Sequence, residues 1–202
     1  LGPIMRTASG LGTLVVLSFY VAVGLLDSIH FHPVVQSADA GREATQSTEV
    51  ISLFDSMVSG LRARQEKTYS APLATHLYAK ESIELADGST IRDFPRLEYG
   101  GSHLPDPEHK TGDLVRLSAI GILKGLAVSV VAANTLIILV AVGARRNFGE
   151  QAKRILMAKT EVPWRVVLIV ASAMLVLAFW SAELASKYHI LGTDKVGEDV
   201  FY

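Results

Sequence analysis

Three long apolar stretches constrain this chain more than anything else in it: Leu11 to Phe31, Leu117 to Gly143 and Val166 to Leu184. Each is about the length a helix needs to cross roughly 30 Å of hydrocarbon. Their centres read LGTLVVLSFYVAVGLL, GLAVSVVAANTLIILVAVG and VVLIVASAMLVLAFWSAEL, without the regular charges that the wet face of a soluble helix carries. The chain therefore reads as an integral membrane protein, mainly α, with three transmembrane helices. The first stretch is too long for the apolar core of a signal peptide. No small-x-small cleavage site follows it, since the chain continues DSIHFHP. The chain opens on Leu1, which implies an unusual start codon or a fragment edge.

Charge then orients the spans. The connection from Ala144 to Arg165 carries Arg145, Arg146, Lys153, Arg154, Lys159 and Arg165 against only Glu150 and Glu161. Short loops rich in Lys and Arg stay in the cytoplasm. The segment from Pro33 to Val115 has eight basic and thirteen acidic residues, a sign that agrees with translocation. Parity then places the N-terminus in the cytoplasm and the C-terminus outside. The resulting division is an N-terminus and first span (1–32), a small extracytoplasmic α+β cap (33–115), a second span (116–143), a basic cytoplasmic loop (144–165), a third span (166–188) and a closing segment (189–202). Within the basic loop, FGEQAKRILMAKTEVPW predicts a short amphipathic helix on the inner leaflet, with Phe148, Ile155 and Leu156 facing down and the lysines up. Trp164 and Trp180 fall near span ends, as interfacial anchors do.

Inside the cap, STEVISLFDSMVSGLRARQEK spaces Val50, Ile51, Phe54, Met57, Val58 and Leu61 as one helical face over 47–67. Thr48 or Ser47 is the expected N-cap, with Arg62, Arg64 and Lys67 at the far end. SIELADGSTIRDF alternates about Asp87-Gly88 and predicts a two-residue hairpin. The stretches YSAPLATHLYAK and PRLEYGGSHLPDPEHKTGD read as loops, and a cap of this size has a thin core of its own.

Few residues offer chemistry. Absence of cysteine excludes disulfides, thiolate zinc sites and cysteine nucleophiles. Net charge of −1 without a basic, aromatic-rich stripe argues against nucleic acid. His30 and His32 do not share a helical face, and His76, His103 and His109 complete a ligand set only through the fold, so no metal site is expected. Asp106 and Glu108 lie in a Pro-rich loop and read as solvated surface. Within the second span, Lys124 and Asn134 are the intramembrane polar candidates. Lys124 is expected to snorkel to the outer headgroups, Asn134 to hydrogen-bond a neighbouring helix, and Gly121 and Gly125 to allow close packing. Nothing points to an enzyme or a cofactor.

The most specific residues come last. HILGTDKVGEDV, at 189–200, resembles the segment H-P-L-G-T-D-x-x-G-R-D-V of the C-type permease subunits of ABC importers for dipeptides, oligopeptides and nickel. The match covers His189, Leu191, Gly192, Thr193, Asp194, Gly197, Asp199 and Val200. Ile190 replaces the usual proline and Glu198 the usual arginine. The resemblance implies the N-terminal part of an inner-membrane permease subunit of an ATP-driven peptide importer, with a second permease subunit, cytoplasmic ATPase subunits and an external solute-binding protein as partners. In that family the transmembrane core follows the motif, whereas one helix usually precedes it; here three do. The cap, through its EYGGSHLPDPEH loop and Tyr99, is the surface expected to meet the binding protein.

From the residues themselves, Gly192 and Gly197 are suited to positive φ, and Thr193 and Asp194 to capping the next turn. DKVGEDVFY is expected to begin an interfacial helix, with everything after Gly192 exposed or poorly packed. The alternative reading is a three-span membrane scaffold or sensor whose cap binds a ligand or partner.

Overall fold

Helix α1 spans Ala8–Ser28, and the Thr7 hydroxyl caps it by accepting from the Gly10 amide at 3.2 Å. The computed structural model describes residues 6–32, 34–35, 45–46, 50–62, 64–84 and 88–201. Two further long apolar helices follow, α3 at Lys110–Gly143 and α5 at Trp164–Ala185. All three are long and apolar enough to cross a membrane. The protein is mainly helical, with small two-stranded sheets between α1 and α3.

Small residues decide how α3 meets α5. Leu117, Gly121, Gly125, Ser129, Ile137 and Ala141 are buried and fall on a four-residue repeat, one stripe of an α-helix. Gly121 lies against Trp180 and Gly125 against Val176, while the Ser129 hydroxyl reaches the Ser172 carbonyl at 3.4 Å. That register is antiparallel. A Cβ on Gly125 would sit 2.6 Å from the Val176 Cα, so only glycine lets the backbones come this close. Helix α1 lies parallel to α5, with Gly12 beside Val166 and Val170.

Helix α3 is about 51 Å long at 1.5 Å per residue, some 20 Å more than a bilayer core requires. The surplus lies in its first turns, which leave the apolar bundle and enter a head. This head comprises the described residues between α1 and α3 together with those after α5. Leu104, Leu117, Leu184 and Tyr188 are its joint with the bundle, and Leu73, Leu114 and Ile190 pack around them. Each such side chain, when fully buried, contributes about 2 kcal/mol.

Within the head, strand β1 (His30–Phe31) pairs antiparallel with β4 (Ile51–Ser52), and β2 (Val34–Val35) with β3 (Thr45–Gln46). Helix α2 is Leu53–Arg62, shorter than the expected 47–67 because Ile51 and Ser52 are taken by the sheet. Its N-cap is Ser52. The Ser52 hydroxyl accepts from the Asp55 amide at 2.9 Å while the Asp55 carboxylate accepts from the Ser52 amide at 3.0 Å, a reciprocal capping box. The expected caps Thr48 and Ser47 lie outside the described residues. Phe54, Val58 and Leu61 are half-buried, but Val50 and Met57 are exposed.

Strands β5 (Glu81–Glu84) and β6 (Thr90–Asp93) form a hairpin at the expected place. Glu84 pairs with Thr90. Asp87, the first residue of the expected two-residue turn, lies outside the described residues. Gly88 is left-handed, with φ of 78°.

Helix α4 (Phe148–Leu156) is the expected amphipathic helix between α3 and α5, but Ile155 of its expected leaflet face is buried in the protein. Ile155 and Gln151 are buried, whereas Phe148 and Leu156 are exposed. The chain reverses into and out of this region at Arg145 and Ala158, both left-handed at helix ends.

Candidate functional site

The C-terminal motif is folded into the head. The peptide segments around Ser70 and Thr193 pair antiparallel, as do Thr193 and Asp199. Backbone bonds run from the Glu66 amide to the Gly197 carbonyl (2.9 Å), from the Leu73 amide to the His189 carbonyl (2.8 Å) and from the Thr193 amide to the Ser70 carbonyl (3.3 Å). The Thr193 hydroxyl donates to the Thr68 carbonyl at 2.8 Å. Arg64 donates to the Ala185 and Ser186 carbonyls at 3.0 and 2.7 Å, which supplies two of the unmet acceptors at the end of α5.

At the centre is a buried charge cluster. His189 donates from Nδ1 to Asp199 at 2.8 Å and from Nε2 to Glu66 at 3.1 Å, and all three side chains are almost fully buried. A carboxylate at each ring nitrogen favours the imidazolium, the form that donates from both. Glu66 also accepts from the backbone amides of Glu98 (2.8 Å), Tyr99 (2.9 Å) and Gly100 (3.0 Å). Burial favours the neutral carboxyl of Glu66, but the His189 ring and these three amides outweigh it and hold the group at about 2. Burial likewise opposes charge on His189, and the Asp199 and Glu66 carboxylates outweigh it, raising the ring to about 9. Neither ring nitrogen is left to take a proton from a substrate. The arrangement holds three remote segments together.

A second polar contact adjoins it. Tyr188 donates to Asp113 at 2.9 Å, and the His103 ring meets the same carboxylate oxygen at 2.7 Å. Burial and then Asp113 push the Tyr188 hydroxyl up. The foot of α3 is thereby tied to the segment leaving α5.

Among the motif residues, His189, Gly192, Thr193 and Gly197 are buried, Asp194 is half-buried, Asp199 has a buried side chain on a more open backbone, and Leu191 and Val200 are exposed. Gly192 and Gly197 have φ of 79° and 82°, as expected. A Cβ on Gly197 would fall 1.7 Å from the Glu66 carbonyl oxygen. Asp194 caps its turn by accepting from the amides of Val196 (2.9 Å) and Glu198 (3.0 Å). Two expectations fail here. No helix begins after Asp194 among the described residues, because Thr193 and Asp199 close the segment into a tight loop. Nor is everything after Gly192 exposed or poorly packed: Lys195, Val196, Glu198, Val200 and Phe201 are exposed, but Thr193 and Gly197 are buried against 66–70.

The other candidates are dispersed. Lys124 is not a lone snorkelling charge: its ammonium pairs with Glu183 of α5 at 2.6 Å, near the end where α5 meets the head. Asn134 donates to its own helix, to the Val130 carbonyl at 2.7 Å, rather than to a neighbour. The EYGGSHLPDPEH loop is only partly exposed; Gly100, Gly101 and Leu104 are buried, Tyr99 is half-buried and its amide faces Glu66. Asp106 caps the single turn Pro107–His109 through the Glu108 amide. His30 sits in β1, and no cluster of three or more potential metal ligands occurs among the described residues. Sequence reading missed Glu66, Arg64, Asp113, Tyr188 and Glu183. For Glu183 there was a signal: a carboxylate one turn from the end of an apolar stretch implies a cation on a facing helix.

No family model, curated protein or solved structure matches the chain.

Proposed function

We propose that this chain is the N-terminal module of a permease subunit of an ABC-type peptide importer, with the head as an extracytoplasmic cap and the α3–α5 connection in the cytoplasm. One observation carries the reading. Of the eight residues shared with the permease motif, His189, Gly192, Thr193, Asp194, Gly197 and Asp199 each have a distinct structural task at fixed spacing. A chance resemblance would not select the residues that the fold uses. The departures fit as well: Ile190 packs against the joint, and Glu198 is exposed. In this reading the motif sets the angle at which the chain leaves the third span, and transport belongs to a core that follows it. Second permease, ATPase and solute-binding subunits are the proposed partners.

Purifying the affinity-tagged protein from its native membrane tests this. Co-purification of an ATPase subunit, with ATP hydrolysis stimulated by a peptide-loaded binding protein, is expected. Purification free of any ATPase would overturn it and favour the scaffold or sensor reading. That second reading has its own support, because no buried side-chain polar atom among the described residues lacks a partner, as in a self-contained head.

A further inference from the structure

Helix α4 has three faces where a simple amphipathic helix has two. One face, Gln151 and Ile155, is buried on the protein. At about 100° per residue, Leu156 stands about 100° round the helix from Ile155, and Lys153 about 60° beyond Leu156. Leu156 is 62% exposed, Phe148 at the first turn 44%, and Met157 just past the end 52%. The order round the axis is therefore the protein face, with Phe148 about 20° from Ile155 at its uncovered edge, then Leu156, then the cation.

The charges complete the pattern. Arg146 is paired with Glu150 at 3.0 Å. Arg145, Lys153, Lys159 and Arg165 are exposed and have no carboxylate partner among the described residues. These four cations and the three apolar side chains lie between the end of α3 at Gly143 and the first turn of α5, which holds Arg165, the level at which both helices leave hydrocarbon. A water-facing helix has no use for Phe148, Leu156 and Met157 there. A protein-facing one would have them covered, or would offset the cations. An anionic lipid surface satisfies both sets at once: acyl chains and glycerol cover the apolar face, and phosphates meet the cations.

We propose that α4 is a docking element for anionic phospholipid headgroups, on the leaflet at which α3 ends and α5 begins. This is independent of the transport reading, since it uses only residues 143–165.

Hydrogen exchange on the full-length chain in nanodiscs tests it, comparing phosphatidylcholine alone with the same lipid containing about one third phosphatidylglycerol. Peptides covering 148–157 are expected to exchange at least about tenfold more slowly with the anionic lipid, and the difference should vanish at high salt. In K153Q/K159Q the lipid dependence should shrink at least about threefold while exchange in α3 and α5 stays unchanged. If that variant is misfolded, salt reversal in the unaltered chain decides. Equal exchange in the two lipids overturns the proposal, whether both are slow or both fast. So does protection that appears only when a soluble protein partner is added.

Discussion

Replacing Glu66 with glutamine removes one charge and one of the two accepting oxygens from the buried cluster. The side chain keeps its length, and an amide oxygen in place of Oε1 still accepts from Tyr99 and Gly100, while the NH2 in place of Oε2 loses the bond from the Glu98 amide. The native environment lowers the Glu66 carboxyl from 4.5 to about 2. At about 1.4 kcal/mol per unit, this shift corresponds to about 3 kcal/mol favouring the carboxylate. The figure agrees with the cost of about 3–5 kcal/mol for removing one partner of a buried ion pair. Since Asp199 still holds the other ring nitrogen, E66Q should loosen the C-terminal segment without unfolding the bundle. Amides of Thr193, Gly197 and Val200, which donate to the carbonyls of Ser70, Asp194 and Gly192, report that opening. A loss of about 3 kcal/mol should speed their exchange about 150-fold, with α3 and α5 unaffected. An acceleration below about threefold would refute the argument, because the His189–Glu66 contact would then carry no net energy.

The same cluster fixes a pH window. Glu66 is depressed from 4.5, so its contribution is complete above that value and lost as pH falls toward 2; His189 is raised from 6.5, so its contribution is complete below that value and lost as pH rises through about 9. Exchange of the C-terminal amides, corrected for intrinsic rate, should be slowest between these two unperturbed values and quicken as pH rises from 6.5 through about 9. Gly197→Ala places a Cβ against the Glu66 carbonyl at φ of 82° and should cost at least about 2 kcal/mol, read as faster exchange of the same amides. Gly125→Leu should separate α3 from α5 and lower the thermal midpoint in detergent by several degrees, whereas Gly149→Ala, which meets open space, should not. Ser52→Ala should cost about 1 kcal/mol and speed exchange only in the first turn of α2.

The spans were legible because a bilayer imposes its demand on some twenty consecutive residues, a range that local reading covers. Gly121 and Gly125 were legible for the same reason, being four apart on one face. The capping box was written in the chain as Ser-x-x-Asp at 52–55, but Ile51 and Ser52 looked helical until β1 claimed them. The hairpin was legible in its place, since the alternation on either side of the turn is local. The charge cluster was beyond local reading. Glu66 and His189 are 123 residues apart, and nothing near Glu66 distinguishes it from a solvated helix-end carboxylate. What could be read was half of the site: the motif stood out by its spacing, its partners did not. The error about the closing segment has the same origin, for a polar stretch with two glycines looks uncommitted when the segments it pairs with are unknown.

His189 is the residue on which the account turns. Its titration, followed by the ring nitrogen shifts in protein labelled at histidine, measures directly whether two buried carboxylates grip the imidazole. The account predicts a doubly protonated ring at neutral pH with a midpoint near 9. A ring that titrates at its ordinary 6.5 would mean that the motif is not clamped into the head, and would contradict the account.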